Sequence, residues 1–296
     1  MTKQIDIVFY HKNCPDGIGG KWVIHHYYSL HHLKTPIYHP LAAGTDPLLS
    51  DLENKSILFV DVCPHPKFIE KYISKVSQMI ILDHHKSSME LLQNISKDYK
   101  NLEVIFQMGQ CGAEIAWDYF FPNEKSPFFI NYIRDKDLWL LELPHSHEIN
   151  FALGENLNME TLSSYLEDEK VSFQNLLARG KVLKKEHDQE IEKIVERAIP
   201  ASFSHNDQKY KIYIVENDRR HLTSDIGNVL CEMYLTIDFA VITSTNQQYC
   251  SLSLRGIKGK CPDLCAIAKT FGGGGHPSAS GMRVPNLKLF KNIAHL

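Results

Sequence analysis

The hydrophobic positions of this chain follow two different spacings. Residues 5–11, 56–62 and 79–85 are short, nearly unbroken apolar runs rich in Ile and Val. Such continuity predicts strands covered on both faces in a largely parallel sheet. Between the first two runs, residues 18–33 carry Trp22, Val23, Ile24, Tyr27 and Leu30 at helical spacing. Between the second and third, residues 66–76 carry Phe68, Ile69, Tyr72, Ile73 and Val76 in the same way. Strand, helix, strand, helix, strand predicts right-handed βαβ units. A further strand is expected over 102–106, then a helix with Ala113, Ile115, Ala116 and Phe120. Another helix starts near Ser126-Pro127, with Phe129, Ile130 and Ile133 on it.

From 158 to 199 the chain is charged and strand-poor, and Leu176, Leu183, Ile191, Ile194, Val195 and Ala198 recur at helical intervals until Pro200. Beyond this helical connector, 210–216, 239–244 and 249–254 read as strands, and 222–235 and 262–270 as helices. Within 249–254, Tyr249, Ser251 and Ser253 alternate with Cys250, Leu252 and Leu254, which predicts a sheet with one exposed face. The expected fold class is α/β in two domains. Residues 1–157 form a mainly parallel sheet with helices on both faces, 158–200 a helical connector, and 201–296 a smaller α+β domain with a mixed sheet.

The apolar runs end in residues that bind cations. The first closes on His11, the second carries Asp61, and the third delivers Asp83, His84 and His85. Open α/β sheets bind ligands in the crevice beyond their C-terminal strand ends. Asp16 falls at the start of the next helix, where an anion is favoured. Carboxylates mixed with imidazoles suit Mn²⁺, Fe²⁺ or Zn²⁺ better than Ca²⁺. Several carboxylates in one crevice repel one another unless cations lie between them. A single strand-end Asp is usually a cap or turn residue, but three such ends together point to a site. Asp135 and Asp137, in Arg134-Asp135-Lys136-Asp137, read by themselves as a solvated turn. Near the C-terminus, Gly272–Gly275 precede His276, a run that favours neither helix nor strand. Its amides suit an anion, with a flexible loop as the plainer alternative. Arg255 adds a fork for phosphate or carboxylate.

Composition narrows the ligand. With 296 residues, 43% hydrophobic and 23% charged, the chain is of ordinary globular composition and long enough for two cores. A net charge of -3 leaves no positive track for a long polyanion, so phosphate must be held locally. Seven cysteines, an odd and sparse count, predict reduced thiols, and Cys261-Pro-Asp-Leu-Cys265 lacks a second pair to complete a zinc site. Of sixteen histidines, His25, His26, His31 and His32 share one helix and read as satisfied or solvated. The chain has neither a signal-like start nor an apolar run of membrane-spanning length, so the expected location is cytoplasmic.

Asp83-His84-His85 after an apolar strand, together with Gly272-Gly273-Gly274-Gly275-His276 near the C-terminus, resembles the DHH phosphoesterase superfamily carrying a C-terminal DHHA1 domain. The resemblance covers essentially the whole chain. It implies hydrolysis of phosphodiester or phosphoanhydride bonds with two divalent cations, most commonly Mn²⁺, with Mg²⁺, Fe²⁺ and Zn²⁺ as alternatives. Carried onto this sequence, it implies that His11 and Asp61 hold one ion and that Asp16, Asp61, His84 and Asp135 hold the second. Asp83 would orient His84, and His85 would face the scissile phosphate. Arg255, Gly273, Gly274, Gly275 and His276 would grip the phosphate or terminal nucleotide. One departure stands out. The family's first motif has two aspartates one residue apart, and Cys14 occupies the place of the first. A Cys14 thiolate would favour Zn²⁺ or Fe²⁺; an Asn13 oxygen or a water are the other ways to fill the position. The expected activity is hydrolysis of short single-stranded oligonucleotides or small nucleotides by metal-activated water. Its rivals are an inactive nucleotide-binding module and a polyphosphate hydrolase. The expected partners are short single-stranded nucleic acid or a small nucleotide and no membrane, with a homodimer left as an open question of assembly.

Overall fold

The computed structural model describes residues 4–48, 51–85, 88–89, 92, 95, 99–245 and 249–285. The chain divides into two compact units, Met1–Lys184 and Lys185–Leu296. Among the described residues no helix is long and apolar enough to cross a membrane.

The first unit is built on five parallel strands, β1 (Ile7–His11), β2 (Ile37–Leu41), β3 (Ser56–Val60), β4 (Gln78–Asp83) and β5 (Leu102–Phe106), in the order β2-β1-β3-β4-β5. Because β1 pairs with β2 on one side and β3 on the other, the chain changes direction across the sheet there. That switch point is where open α/β sheets form a ligand crevice. Both faces are covered, which accounts for the unbroken apolar runs. Val8, Leu58, Val60, Ile80 and Leu82 enter one core with α1 (Pro15–Leu30), α3 (Gly112–Phe120), α4 (Phe128–Asp137) and α5 (Ser146–Glu155). Ile7, Phe9, Ile57, Phe59, Met79 and Ile81 enter the other with α2 (Pro66–Tyr72). Successive residues serve opposite cores because the strand pleat has a period of two. Strand β2 escapes the apolar pattern because it contains Pro40, which an edge strand tolerates.

The segment 158–200 is shared between the units. Leu162 of α6 (Met159–Ser164) and Leu176 of α7 (Glu169–Val195) belong to the first unit's core, whereas Ile191, Ile194 and Val195 pack in the second. The second unit has a mixed sheet, β10-β11-β9-β8-β7-β6. Its strands are β6 (Ile199–His205), β7 (Gln208–Glu216), β8 (Phe239–Thr245), β9 (Cys250–Arg255), β10 (Gly274–His276) and β11 (Ala279–Val284), with β7 and β8 paired in parallel. Helices α8 (Thr223–Met233) and α9 (Leu264–Thr270) complete it.

Two expectations for this unit are corrected. The sheet has a core on each face: Val241, Leu252, Leu254 and Met282 pack with α9, and Ala240 and Ile242 pack with α8 and the end of α7. The alternation in 249–254 arises because the apolar cover on the second face comes from β8, while β9 contributes Ser251, Ser253 and Arg255 there. The glycine run is also partly a strand, since Gly274–His276 pair antiparallel with β11. Gly275 has φ 142°, and a Cβ on it would lie 2.6 Å from the Ala279 carbonyl oxygen, so glycine is what lets the two strands lie together.

Candidate metal centre

The site is assembled at the C-terminal ends of β1, β3 and β4. His11 is the last residue of β1, and its Nδ1 lies 3.2 Å from Asp61 Oδ2. Asp61 directly follows β3 with φ 57°, a left-handed conformation that a non-glycine residue keeps only when its surroundings force it. Its N–H still donates to Leu82 O at 3.0 Å, so the sheet holds the backbone while the carboxylate turns into the crevice. Asp16 is fully buried in the first turn of α1. Its oxygens accept the N–H groups of Gly112 (2.6 Å) and Ala113 (2.7 Å) at the start of α3, a favoured place for an anion. A Cβ on Gly112 would sit 2.6 Å from the Asp61 Cβ and 3.0 Å from Asp16 Oδ2, so α3 approaches the two aspartates only as glycine allows.

His84 is the hub. Its Nε2 lies 3.3 Å from Asp61 Oδ1, 3.4 Å from Asp137 Oδ2 and 3.6 Å from Asp16 Oδ2. Asp83 Oδ1 accepts the His84 N–H at 2.8 Å, the His85 N–H at 3.2 Å and pairs with His85 Nδ1 at 2.7 Å. Asp83 therefore orients the ring of His85 and not, as expected, that of His84. The cause is a local turn just past the strand end, in which a short Asp side chain bonds forward along the chain.

The structure also exchanges Asp135 for Asp137. The Asp135 carboxylate is buried and accepts the N–H of Glu142 (2.9 Å) and Leu143 (3.4 Å), which tethers the segment after α4. Asp137, read from sequence as a solvated turn, supplies the oxygen near His84. By helical spacing Asp137 lies on the side of Ile130 and Ile133 and Asp135 on that of Tyr132, and both sides carry buried residues, so spacing alone does not choose between them.

Among the described residues, three groups place ligand atoms within 4.8 Å of one another: His11, Cys14 and Asp61; Asp16, His84 and Asp137; and Asp61, Asp83, His84 and His85. Asp61 and His84 belong to two groups each, so this is one continuous centre. Its electrostatics show what the protein does without an ion. Burial, then the charges of Asp61 and Asp137, push Asp16 well above the carboxylate range. Burial would also raise Asp61, but His11 and His84 outweigh it and hold that carboxyl well below the usual range. Burial would lower His84, yet Asp61, Asp16 and Asp137 push it up to about 9. The bond to Asp83 raises His85 against the effect of burial. Protons thus do the neutralising in the free chain. They do it incompletely: Asp83 Oδ2 is buried without a hydrogen-bond partner, and Asp61 Oδ1 and His84 Nε2, 3.3 Å apart, are buried without meeting in hydrogen-bond geometry. Orphaned polar atoms are costly in a folded interior. Carboxylate oxygens and a neutral imidazole nitrogen in this arrangement fit divalent cations.

Comparison with known structures agrees with the topology. The DHH domain of a member of a ribosomal-protein family superposes with a TM-score of 0.62 at 12% identity, over 98% of this chain and 84% of that one. A pGpG-specific phosphodiesterase, PggH of Vibrio cholerae, gives a TM-score of 0.54 at 10% identity over 98% and 96% of the two chains. The exonuclease RecJ bound to manganese gives 0.52 at 14% identity over 97% and 88%. This chain has the fold of a DHH domain. In sequence, it is 28% identical to an uncharacterized protein of Acanthamoeba polyphaga mimivirus, over 96% of this chain and 69% of that protein. No protein-family profile matches it.

The remaining expected residues of this DHH-fold chain lie in the second unit. Arg255 is half-buried at the end of β9, donating to Leu254 O at 2.9 Å, with longer approaches of 3.4 Å to Ser280 O and Ser224 Oγ; burial lowers its pKa. His276 is exposed on β10, the edge strand, and a Cβ on Gly274 would meet nothing within 4 Å.

Proposed function

We propose that this protein is a divalent-cation-dependent phosphoesterase that hydrolyses phosphodiester bonds in short single-stranded oligonucleotides or small nucleotides. One observation carries the reading: buried carboxylate and imidazole atoms that no hydrogen bond satisfies crowd together at the switch point of a DHH-type sheet. The phosphodiesterase and the manganese-bound exonuclease among the structural neighbours support the same class of chemistry. Two cations are proposed, Mn²⁺ first among the candidates, one held by His11, Cys14 and Asp61 and the other by Asp16, His84 and Asp137. When bound, such ions lower the pKa of water and draw charge from phosphoryl oxygens.

The side chains supply the rest. Asp16 is fixed by two α3 amides, which keeps its carboxylate from following the ligand. His85 has Nδ1 occupied by Asp83, leaving Nε2 for a phosphate oxygen. Its raised pKa favours the cationic form that stabilises charge developing at that oxygen. Asp83 is a positioning residue for that ring. The second unit is the candidate DHHA1 domain, and Arg255, Gly273, Gly274, Gly275 and His276 are assigned to the phosphate or terminal nucleotide. Edge-strand amides and a single guanidinium suit one or two phosphates, in keeping with a net charge of -3.

The test is release of mononucleotide from RNA and DNA oligomers of two to five residues, with cyclic dinucleotide and polyphosphate beside them, in Mn²⁺, Mg²⁺ and Zn²⁺. Metal-dependent cleavage of a base-bearing substrate, lost in Asp61→Asn, is expected. Nucleotide binding without turnover in any ion, or turnover of polyphosphate alone, would refute the assignment.

A further inference from the structure

Cys14 occupies the N-cap of α1, a position where Ser, Thr, Asp or Asn would bond the free amides of the first turn. Its side chain makes no such capping bond. Instead its sulfur lies within 4.8 Å of ligand atoms of His11 and Asp61. Asn13, the other protein group that could fill this position, is exposed in a left-handed turn with φ 57°. Asp61, 1% exposed, turns Oδ2 to His11 Nδ1 at 3.2 Å on this side and Oδ1 to His84 on the other. The neighbouring group of Asp16, His84 and Asp137 offers only oxygen and nitrogen donors.

Building on the two-cation reading, we infer that the two positions are chemically unequal. His11, Cys14 and Asp61 take a thiolate-seeking ion of the zinc or ferrous class through a bond to the Cys14 sulfur, and Asp16, His84 and Asp137 take a harder ion of the manganese or magnesium class. Sulfur selects zinc and iron over manganese and magnesium, whereas carboxylate-rich positions do not. Binding breaks the S–H bond and forms an S–metal bond. The proton passes to solvent and no electrons are transferred.

Cobalt(II) reports the difference, because a thiolate ligand gives an intense sulfur-to-cobalt charge-transfer band that nitrogen and oxygen ligands do not. The full chain, stripped of metal, is titrated with Co²⁺. The band is expected to saturate, to be removed by stoichiometric Zn²⁺ and to survive a several-fold excess of Mn²⁺. Cys14→Asp should abolish it and weaken Zn²⁺ binding by about 100-fold or more, beyond the range seen on losing an outer partner. Cys63→Ser, two residues past Asp61, should keep it. Cobalt binding without the band, or a band untouched by Cys14→Asp, overturns the sulfur ligand and leaves the cation reading intact. A folded chain that binds no divalent ion at all overturns both. Should Cys14→Asp fail to fold, mass-mapped alkylation of Cys14 in the wild-type chain decides the matter. Protection by Zn²⁺ but not Mn²⁺ supports the assignment; equal protection, or none, overturns it.

Discussion

The exchange of Asp135 for Asp137 makes opposite demands on two neighbouring substitutions. In Asp135→Asn, one carboxylate that accepts the amides of Glu142 and Leu143 becomes a carboxamide, whose NH₂ cannot accept the second bond. Leaving one of these part-buried amides short of its charged acceptor costs up to about 1–3 kcal/mol. For a unit of this size that corresponds to a fall in Tm of about 2–4 °C per kcal/mol. Cation affinity should stay nearly unchanged, because Asp135 contributes no atom to the ligand groups. Asp137→Asn does the reverse. It removes a donor 3.4 Å from His84 Nε2, and losing even an outer partner of a metal ligand typically costs 10–100-fold in affinity. Loss of the donor itself should then weaken one Mn²⁺ by about 100-fold or more, roughly 2.7 kcal/mol. Stability of the metal-free chain should fall little, since burial and the repulsion of Asp61 offset the attraction of His84 and leave the Asp137 carboxyl raised. Calorimetric Mn²⁺ titration, paired with melting curves in Mn²⁺ and in chelator, measures both quantities. If Asp135→Asn lost Mn²⁺ while Asp137→Asn bound it like wild type, the geometric assignment would be refuted.

Gly112→Ala should weaken Mn²⁺ binding and lower Tm together, because the new methyl meets Asp61 Cβ at 2.6 Å and must push α3 off Asp16; unchanged binding would show that α3 is free to shift. The metal-free chain should lose stability on the alkaline side. His84 is raised from 6.5 to about 9, so its contribution is complete below 6.5 and is lost as pH rises through about 9; urea midpoints that do not fall over this window would contradict the arrangement of carboxylates around it. Divalent cation added at the alkaline end should restore the midpoint, since it replaces the lost positive charge. Asp83→Asn should bring the His85 pKa down, because the Asp83 bond is the main cause of its elevation; a ring titration by NMR that does not move would refute the pairing.

Much of this molecule can be read from residue order alone, for identifiable reasons. Strands β1, β3 and β4 are nearly continuous in apolar residues because both faces of the sheet are buried there. Helices α1 and α2 carry an apolar stripe, and the residues at and just past the strand ends, His11, Asp61, Asp83 and His84, announce a ligand crevice. Edge strands β2, β6 and β10 stay hidden, since Pro40, Pro200 and Gly274 are poor strand formers that only an edge accepts. What required the tertiary structure is direction. Asp135 and Asp137 are alike as residues, and packing of Ile130 and Ile133 decides which one faces the crevice. Asp83 bonds the ring of His85, two residues on, because the chain turns immediately after β4. Asp61 points inward because the sheet holds it at a positive φ that no sequence pattern records. Residue order sets which groups are available near the strand ends; only the packed backbone determines which atoms meet, since a few ångströms of side-chain direction separate a cation ligand from a structural hydrogen bond.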